Sequence, residues 1–260
     1  MQDGLRVASY NLRYANPGDG ANDWSHRKTF VSASIRFHGL DVFGTQEGLA
    51  EQIIDLAQMD GYAHVGVGRD DGRSAGEHAA IFFRKSRFSV LDQGHFWLSE
   101  TPDIPSKGWD APCCNRIAGW VKLRDLHSGK NFYVFSVHFD HQGVVARRES
   151  AKLLLHKIQT IAGDHAVVCV GDFNSTPDTE PMATMRNALR DAREHSATPP
   201  YGPQATFNGF RWDATPTERI DYIFVSPQIT VLKFGTLSDS QDRRYPSDHF
   251  PVMADLVLDR

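Results

Sequence analysis

Cysteine is scarce in this chain: three in 260 residues, at positions 113, 114 and 169. Cys113 and Cys114 are adjacent, a spacing that seldom bonds, and Cys169 lies inside an apolar run. Neither a disulfide framework nor a zinc-ligand spacing is expected. No apolar stretch approaches the roughly 20 residues of a membrane span. A basic surplus is missing too: 28 Lys and Arg stand against 32 Asp and Glu, a net charge of −4. That excludes a strongly basic nucleic-acid binder, though not an enzyme that meets phosphate only at its active site. There are no internal repeats, low-complexity tracts or obvious linkers. Met1-Gln2-Asp3-Gly4 has neither the basic nor the apolar region of a secretory leader. The location therefore stays unassigned: cytoplasmic if the chain is complete, secreted or periplasmic if a leader was removed.

What the chain does have is an ordinary globular composition, 40% hydrophobic and 23% charged. Residues 1–260 read as one α/β domain rich in antiparallel strands, not as a regular βαβ alternation. A first helix is expected to begin at Ser25 as its N-cap, with Phe30, Ser34 and Phe37, or Val31 and Ile35, facing inward. Two short strands are predicted from Phe88 to Leu91 and from Gly94 to Leu98. The strongest helical pattern runs from Val145 to Ile161 and stops at Gly163. Between Ser99 and Asn115 lies a loop with three prolines and Trp109, long enough to suggest a functional surface loop.

The most informative stretch follows the apolar run Ala166-Val167-Val168-Cys169-Val170. It is Gly171-Asp172-Phe173-Asn174. Alternation turns Asp172 and Asn174 to one side and Phe173 to the other. An acid that takes a proton then stands beside an amide that donates to a phosphoryl oxygen. An Asx-rich turn would look the same, so other strand ends decide. The first strand reaches Asn11. The second runs into Gln46-Glu47, where a carboxylate after an apolar run needs a partner or a cation. Mg²⁺ favours one or two carboxylates and keeps most of its waters. Glu77-His78 follows a glycine-rich loop. Ser136-Val137-His138-Phe139-Asp140-His141 closes another strand, with His138 a candidate general acid. His141 is a weaker metal candidate, since no zinc pattern supports it. Asp221 opens an apolar strand, and Ser247-Asp248-His249 precedes the last one. Asp221 has the right chemistry to orient His249 through its ring N–H. Together these groups suit Mg²⁺-assisted attack of water on a phosphate ester.

Seven motifs in this order resemble the endonuclease/exonuclease/phosphatase superfamily, the group of DNase I, exonuclease III and the CCR4-type deadenylases. They are Tyr10-Asn11, Gln46-Glu47, Gly76-Glu77-His78, Ser136-Val137-His138, Gly171 to Asn174, Arg219-Ile220-Asp221-Tyr222 and Ser247-Asp248-His249. The resemblance implies a DNase I-like four-layer sandwich: two packed, mostly antiparallel sheets flanked by helices, with the site at one rim. It implies Glu47 as the main Mg²⁺ ligand, Mn²⁺ being a possible substitute, with Asn11 and Asp248 nearby. It further implies Asp172 as the residue that positions or activates water and Asn174 as a phosphate donor. His249 with Asp221, and His138 with Glu77, would flank the scissile phosphate. Phe96 to Pro102, Arg116 to Trp120 and Ala146 to Ser150 look like a bacterial subgroup. Within it Arg116 and Arg147 either reach a substrate phosphate or sugar, or tie loop to helix through salt bridges. Asn208 either bonds substrate or shapes a turn.

The leading expectation is a Mg²⁺-dependent phosphodiesterase, nuclease or phosphatase acting as a monomer. Its substrate is a nucleic acid, nucleotide, sugar phosphate or lipid headgroup. Acidic balance weakens the polymer, because affinity for nucleic acid comes largely from neutralised phosphates. Trp97, Trp109, Phe207 and Trp212 are candidates to stack a base or sugar. The competing class is a catalytically silent binding or scaffold protein on the same fold. It predicts the loss of at least one site position, and none is lost.

Overall fold

Burial along the strands sorts their side chains into layers. The computed structural model describes residues 4–259; Met1 to Asp3, read above for the lack of a leader, lie outside them. In chain order the elements are β1 (Leu5–Asn11), α1 (Trp24–Phe37), β2 (Val42–Gln46), α2 (Ala50–Ala57), β3 (Tyr62–Val65), β4 (Ile81–Arg84), β5 (Phe88–Trp97) and β6 (Ile117–Asp125). Then come β7 (Asn131–His138), α3 (Val144–Ala162), β8 (Ala166–Asp172), α4 (Glu180–Arg186), β9 (Arg190–Asp191), β10 (Asp221–Val225), β11 (Ile229–Thr236) and β12 (Val252–Leu258). The strands form two six-stranded sheets, ordered β11-β12-β1-β2-β4-β3 and β5-β6-β7-β8-β10-β9.

Val7, Val42, Ile81, Val134, Val168, Val170, Ile223 and Leu256 fill the space between the sheets. The alternate residues of the first sheet, Ala8, Tyr10, Phe43 and Phe82, pack on Val31 and Ile35 of α1 and on Ile53 and Leu56 of α2. Those of the second sheet, Tyr133, Phe135, Val137 and Phe224, pack on Leu154 and Ile158 of α3 and on Met182 and Met185 of α4. The result is the expected four-layer α/β sandwich. Each sheet holds one parallel pair, β1 with β2 and β7 with β8. A parallel pair cannot be closed by a hairpin, and α1 and α3 supply the two crossovers.

Four local expectations are corrected. Asp23, not Ser25, caps α1: its carboxylate accepts the Ser25 N–H at 3.1 Å. Phe37 is 85% exposed, because two residues beyond Ile35 a helix has turned about 200°. The strands predicted at 88–91 and 94–98 are one strand, β5, whose pairing with β6 slips between Val90 and Asp92. That bulge breaks the alternation on which the separate reading rested. Cys113 and Cys114 are bonded to each other. They sit in an irregular loop, free of the strand geometry that would point neighbours to opposite faces.

Towards the rim the layer between the sheets turns polar. Ser9 Oγ donates to Gln46 Oε1 at 3.3 Å, and Gln46 Nε2 donates to Ser136 Oγ of the other sheet at 3.2 Å. Gly44 lets the sheets approach here. A Cβ on it would collide with the Val170 side chain and stand 2.7 Å from Ser136 Oγ. Gly44→Ala is therefore expected to cost about 1–3 kcal/mol and to lower the melting temperature by several degrees. An unchanged melting temperature would show that the sheets do not meet so closely.

Candidate active site

The two parallel pairs end at the same rim. Asn11 pairs with Gln46 across β1 and β2, and His138 with Asp172 across β7 and β8. Asp221 opens β10 opposite Asp172. With apolar side chains filling both faces of the sheets, register leaves these polar groups at the strand ends. Of these, His138 and Asp172 line a cleft of about 580 Å³ together with Arg13, Tyr14, Glu47, Arg69, Glu77, Arg116, Asn174, Phe207, Asp248 and His249, while Asn11, Gln46 and Asp221 are buried.

Three cleft residues hold left-handed backbone: Arg13 at φ 54°, Glu47 at 64° and Asn174 at 46°. Asparagine tolerates this; for the other two it costs roughly 1–2 kcal/mol each. At Glu47 the turn aims the carboxylate into the cleft. Its oxygens accept from Asn11 Nδ2 at 3.0 Å and from the Tyr14 N–H at 3.2 Å. The same Asn11 nitrogen donates to Asp172 Oδ2 at 3.0 Å, while its oxygen accepts from the Arg13 N–H at 2.9 Å. Asn11, expected beside the cation as a ligand, thus presents a donor and links the carboxylates of the two sheets. Asp172 Oδ1 accepts from the Asn174 N–H at 2.9 Å, and Asn174 Nδ2 donates to Phe139 O at 3.0 Å.

Two histidines flank Asp172 in opposite charge states. His249 Nδ1 lies 2.8 Å from Asp221 Oδ2, and its Nε2 lies 3.8 Å from Asp172 Oδ2. Burial, the strongest influence, pulls the His249 pKa down; Asp221 and Asp172 outweigh it and carry it well above the ordinary value. That direction favours the imidazolium form of His249. His138 Nδ1 is 3.4 Å from Glu77 Oε2, and its Nε2 is 3.6 Å from Asp172 Oδ2. Arg116 Nη1, however, stands 3.1–3.2 Å from both ring nitrogens. Burial first, then Arg116, hold the His138 pKa well below the ordinary value. That direction favours a neutral, hydrogen-bonding His138 over the expected general acid.

Arg116 is buried. Beyond His138 it reaches His141 Nδ1 at 2.8 Å and Asp140 Oδ2 at 3.4 Å. Arg69 pairs with Glu77. Arg13 grips Asp19 with two hydrogen bonds and lies 3.9 Å from Asp248. Neither Arg13 nor Arg69 stood out in the sequence, where each is one basic residue in a polar loop. Two expected substrate contacts lie outside the cleft lining. Arg147 donates to the Asp140 carbonyl at 3.3 Å, so its guanidinium is drawn to the loop after β7. Asn208 is buried, donates to Ser247 O at 3.1 Å and accepts from the Phe210 N–H at 2.8 Å. It braces the Asp248-His249 turn. Of the aromatic candidates, Phe207 enters the cleft, its ring 5.1 Å from that of His249. Trp97 is buried and donates to Arg69 O.

The donor set fits a hard divalent cation. Glu47, His138 and Asp172 each offer an atom within 4.8 Å of the others. The ring nitrogens of His138 face Arg116, which leaves the carboxylates. Burial, then Asp221, push Asp172 up to about 7. Burial pushes Asp248 up to about 6, with Glu47 adding to it. Carboxylates crowded this way favour added positive charge, and two oxygen donors with open space for waters suit Mg²⁺ or Mn²⁺.

The sequence matches the model of the Endonuclease/Exonuclease/phosphatase family over residues 8–249. The structure of an endonuclease/exonuclease/phosphatase from Bacteroides vulgatus superposes with a TM-score of 0.95 at 42% identity, covering 99% of this chain and 100% of that one. A mannosyl-6-phosphatase of Bacteroides thetaiotaomicron superposes with a TM-score of 0.93 at 40% identity, covering 98% and 100%. An uncharacterized protein of Acanthamoeba polyphaga mimivirus is 24% identical over 86% of this chain and 38% of its own length. The chain spans less than half the length of the curated relatives it matches.

The raised carboxyl pKa values give the cation a pH-dependent effect. Without one, folded Asp172 holds its proton more tightly than the unfolded chain does. Its contribution to stability falls as pH rises from 3.8 to about 7. A cation replaces that proton, so its stabilisation grows over the same window. Millimolar Mg²⁺ is expected to raise the melting temperature by several degrees at about pH 8 and little at about pH 5. Equal shifts at both, or none at about pH 8, would contradict this placement of charge.

Proposed function

The chain belongs to the endonuclease/exonuclease/phosphatase family and is a hydrolase, and from that premise we propose that it hydrolyses the phosphate monoester of a small sugar phosphate with Mg²⁺, or Mn²⁺ in its place. One observation carries the reading. Asn11 holds Glu47 of its own sheet and Asp172 of the other, each at 3.0 Å, and His249, fixed by Asp221, faces Asp172. A water-handling base, a cation-holding carboxylate and a cationic donor are thereby gathered at one point.

In this reading Glu47, with Asp248 near, holds the cation. The cation supplies charge neutralisation at the phosphoryl oxygens. Asp172, held by Asn11 and by the Asn174 N–H, receives the proton of the attacking water. Asn174 keeps a second amide hydrogen for a phosphoryl oxygen. His249 presents Nε2–H to the phosphate and gives its proton to the departing alcohol, while Asp221 fixes the tautomer and stabilises the imidazolium. His138 stays neutral and, with Glu77, borders the phosphate without supplying a proton.

The preference for a small monoester rests on three supports. A net charge of −4 offers no broad basic track for a polymer. Arg69, which lines the cleft, is latched through its carbonyl, which accepts from Trp97 Nε1 at 2.7 Å and from Asn115 Nδ2 at 3.3 Å. A relative of 40% identity along the full length is a mannosyl-6-phosphatase. Assay with Mg²⁺ against hexose phosphates, nucleotides, single-stranded RNA and DNA, and bis-p-nitrophenyl phosphate tests the reading. Phosphate release from a hexose phosphate is expected to dominate. His249→Ala and Asp172→Asn should each lower kcat by about 10²–10⁴-fold, and Arg147→Ala should change it little. Faster cleavage of a diester or polymer would overturn the substrate class, and full activity of either variant would overturn the roles.

A further inference from the structure

One feature of the cleft takes no part in the chemistry above: the Cys113–Cys114 disulfide. Cys114 lines the cleft. The Cys113 sulfur, a carboxylate oxygen of Asp140 and a ring nitrogen of His141 lie within 4.8 Å of one another. This trio does not make a cation site, since the sulfur is bonded and Asp140 is engaged by Arg116 and the N–H groups of Gln142 and Gly143. It does locate the disulfide relative to the phosphate position. A continuous row leads from Asp172 to His138, on to Arg116 and His141, and ends at Cys113, with gaps of 3.6, 3.1 and 2.8 Å before the last step.

We propose that the Cys113–Cys114 disulfide is a substrate-contacting ledge on which the sugar ring packs, setting affinity for the sugar portion of the ester. The inference rests on the sugar-phosphate reading above. A sugar ring needs an apolar surface for its C–H face and paired donors and acceptors for its hydroxyls. The disulfide offers a polarizable, uncharged surface. Beside it, the Arg69–Glu77 pair and His141 can serve hydroxyls. Phe207, packed on His249, also lines the cleft. The ledge is also preorganised. Two bonded neighbouring side chains keep little rotamer freedom, and the loop around them is pinned. Arg116 O accepts from the Leu98 N–H at 2.8 Å, and Asp110 accepts from the N–H groups of Val145 and Ala146 at 3.0 and 2.7 Å. Ordering that is complete before binding does not subtract from affinity.

The test compares the KM for a hexose 6-phosphate with the competitive Ki of inorganic phosphate, which fills the phosphate position alone. Burial of one sulfur-sized apolar contact corresponds to about fivefold in affinity. In Cys113→Ser/Cys114→Ser, and independently in wild-type protein reduced with a phosphine, the ratio of KM to Ki should rise about fivefold. Iodoacetamide should label the pair only after reduction. A ratio unchanged in the reduced wild type, KM and Ki rising together, or labelling before reduction would each overturn the ledge. Wild-type protein that hydrolyses no hexose phosphate would instead overturn the functional reading, and the ledge with it. Melting curves of both forms identify a variant that fails to fold, leaving the reduced wild type to decide.

Discussion

One carboxamide joins the two halves of this molecule at the point where chemistry is concentrated. Asn11 ends a strand of the first sheet and donates to Glu47, which follows the neighbouring strand, and to Asp172, which ends a strand of the second. Two carboxylates sharing one donor this closely repel each other in a low-dielectric setting, and burial makes Asp172 costlier to ionise. The arrangement holds only if the sheets are near enough for one side chain to bridge them. Gly44 and the Gln46–Ser136 contact supply that proximity one layer below the cleft.

Around the shared carboxylates, second partners determine what each histidine does. His249 and His138 are both buried, both near Asp172, and both at the sheet rim. Asp221 and Asp172 carry the first above the ordinary histidine value, while burial and then the guanidinium of Arg116 hold the second below it. In the proposed reaction the pair is therefore asymmetric: one side of the phosphate gives a proton, and the other hydrogen-bonds. Arg116 in turn is fixed by Asp140 and His141, so the loop after β7 is part of the electrostatics as well as of the wall.

Much of this was legible in the sequence, and for an identifiable reason. Apolar strands that end in Asn, Glu, Asp or His carry two signals at once, burial and unmet polarity. Asn11, Glu47, His138, Asp172 and Asp221 all came to one rim. The four layers followed from the family resemblance, and the alternation of Val7 with Ala8 and Tyr10 agrees with them. What escaped was set by contacts distant in sequence. Nothing near His138 announces that Arg116 will face its ring. Arg147, on a helix, and Asn208, in a turn, have the right chemistry but point at backbone groups. The bulge in β5 and the bonded Cys113 and Cys114 depend on local geometry that no periodicity records.

The central claim is that Glu47 and Asp172, carboxylates of the two sheets tied by Asn11, face one position in the cleft at which Glu47 holds a cation. A crystal structure grown with Mn²⁺ and recorded for its anomalous signal tests that directly. The account expects one strong peak in the cleft, within roughly 2.3 Å of a Glu47 carboxylate oxygen, with Asp172 facing it. A peak seated only on Asp140, His141 or another part of the surface, with none at Glu47, would contradict it.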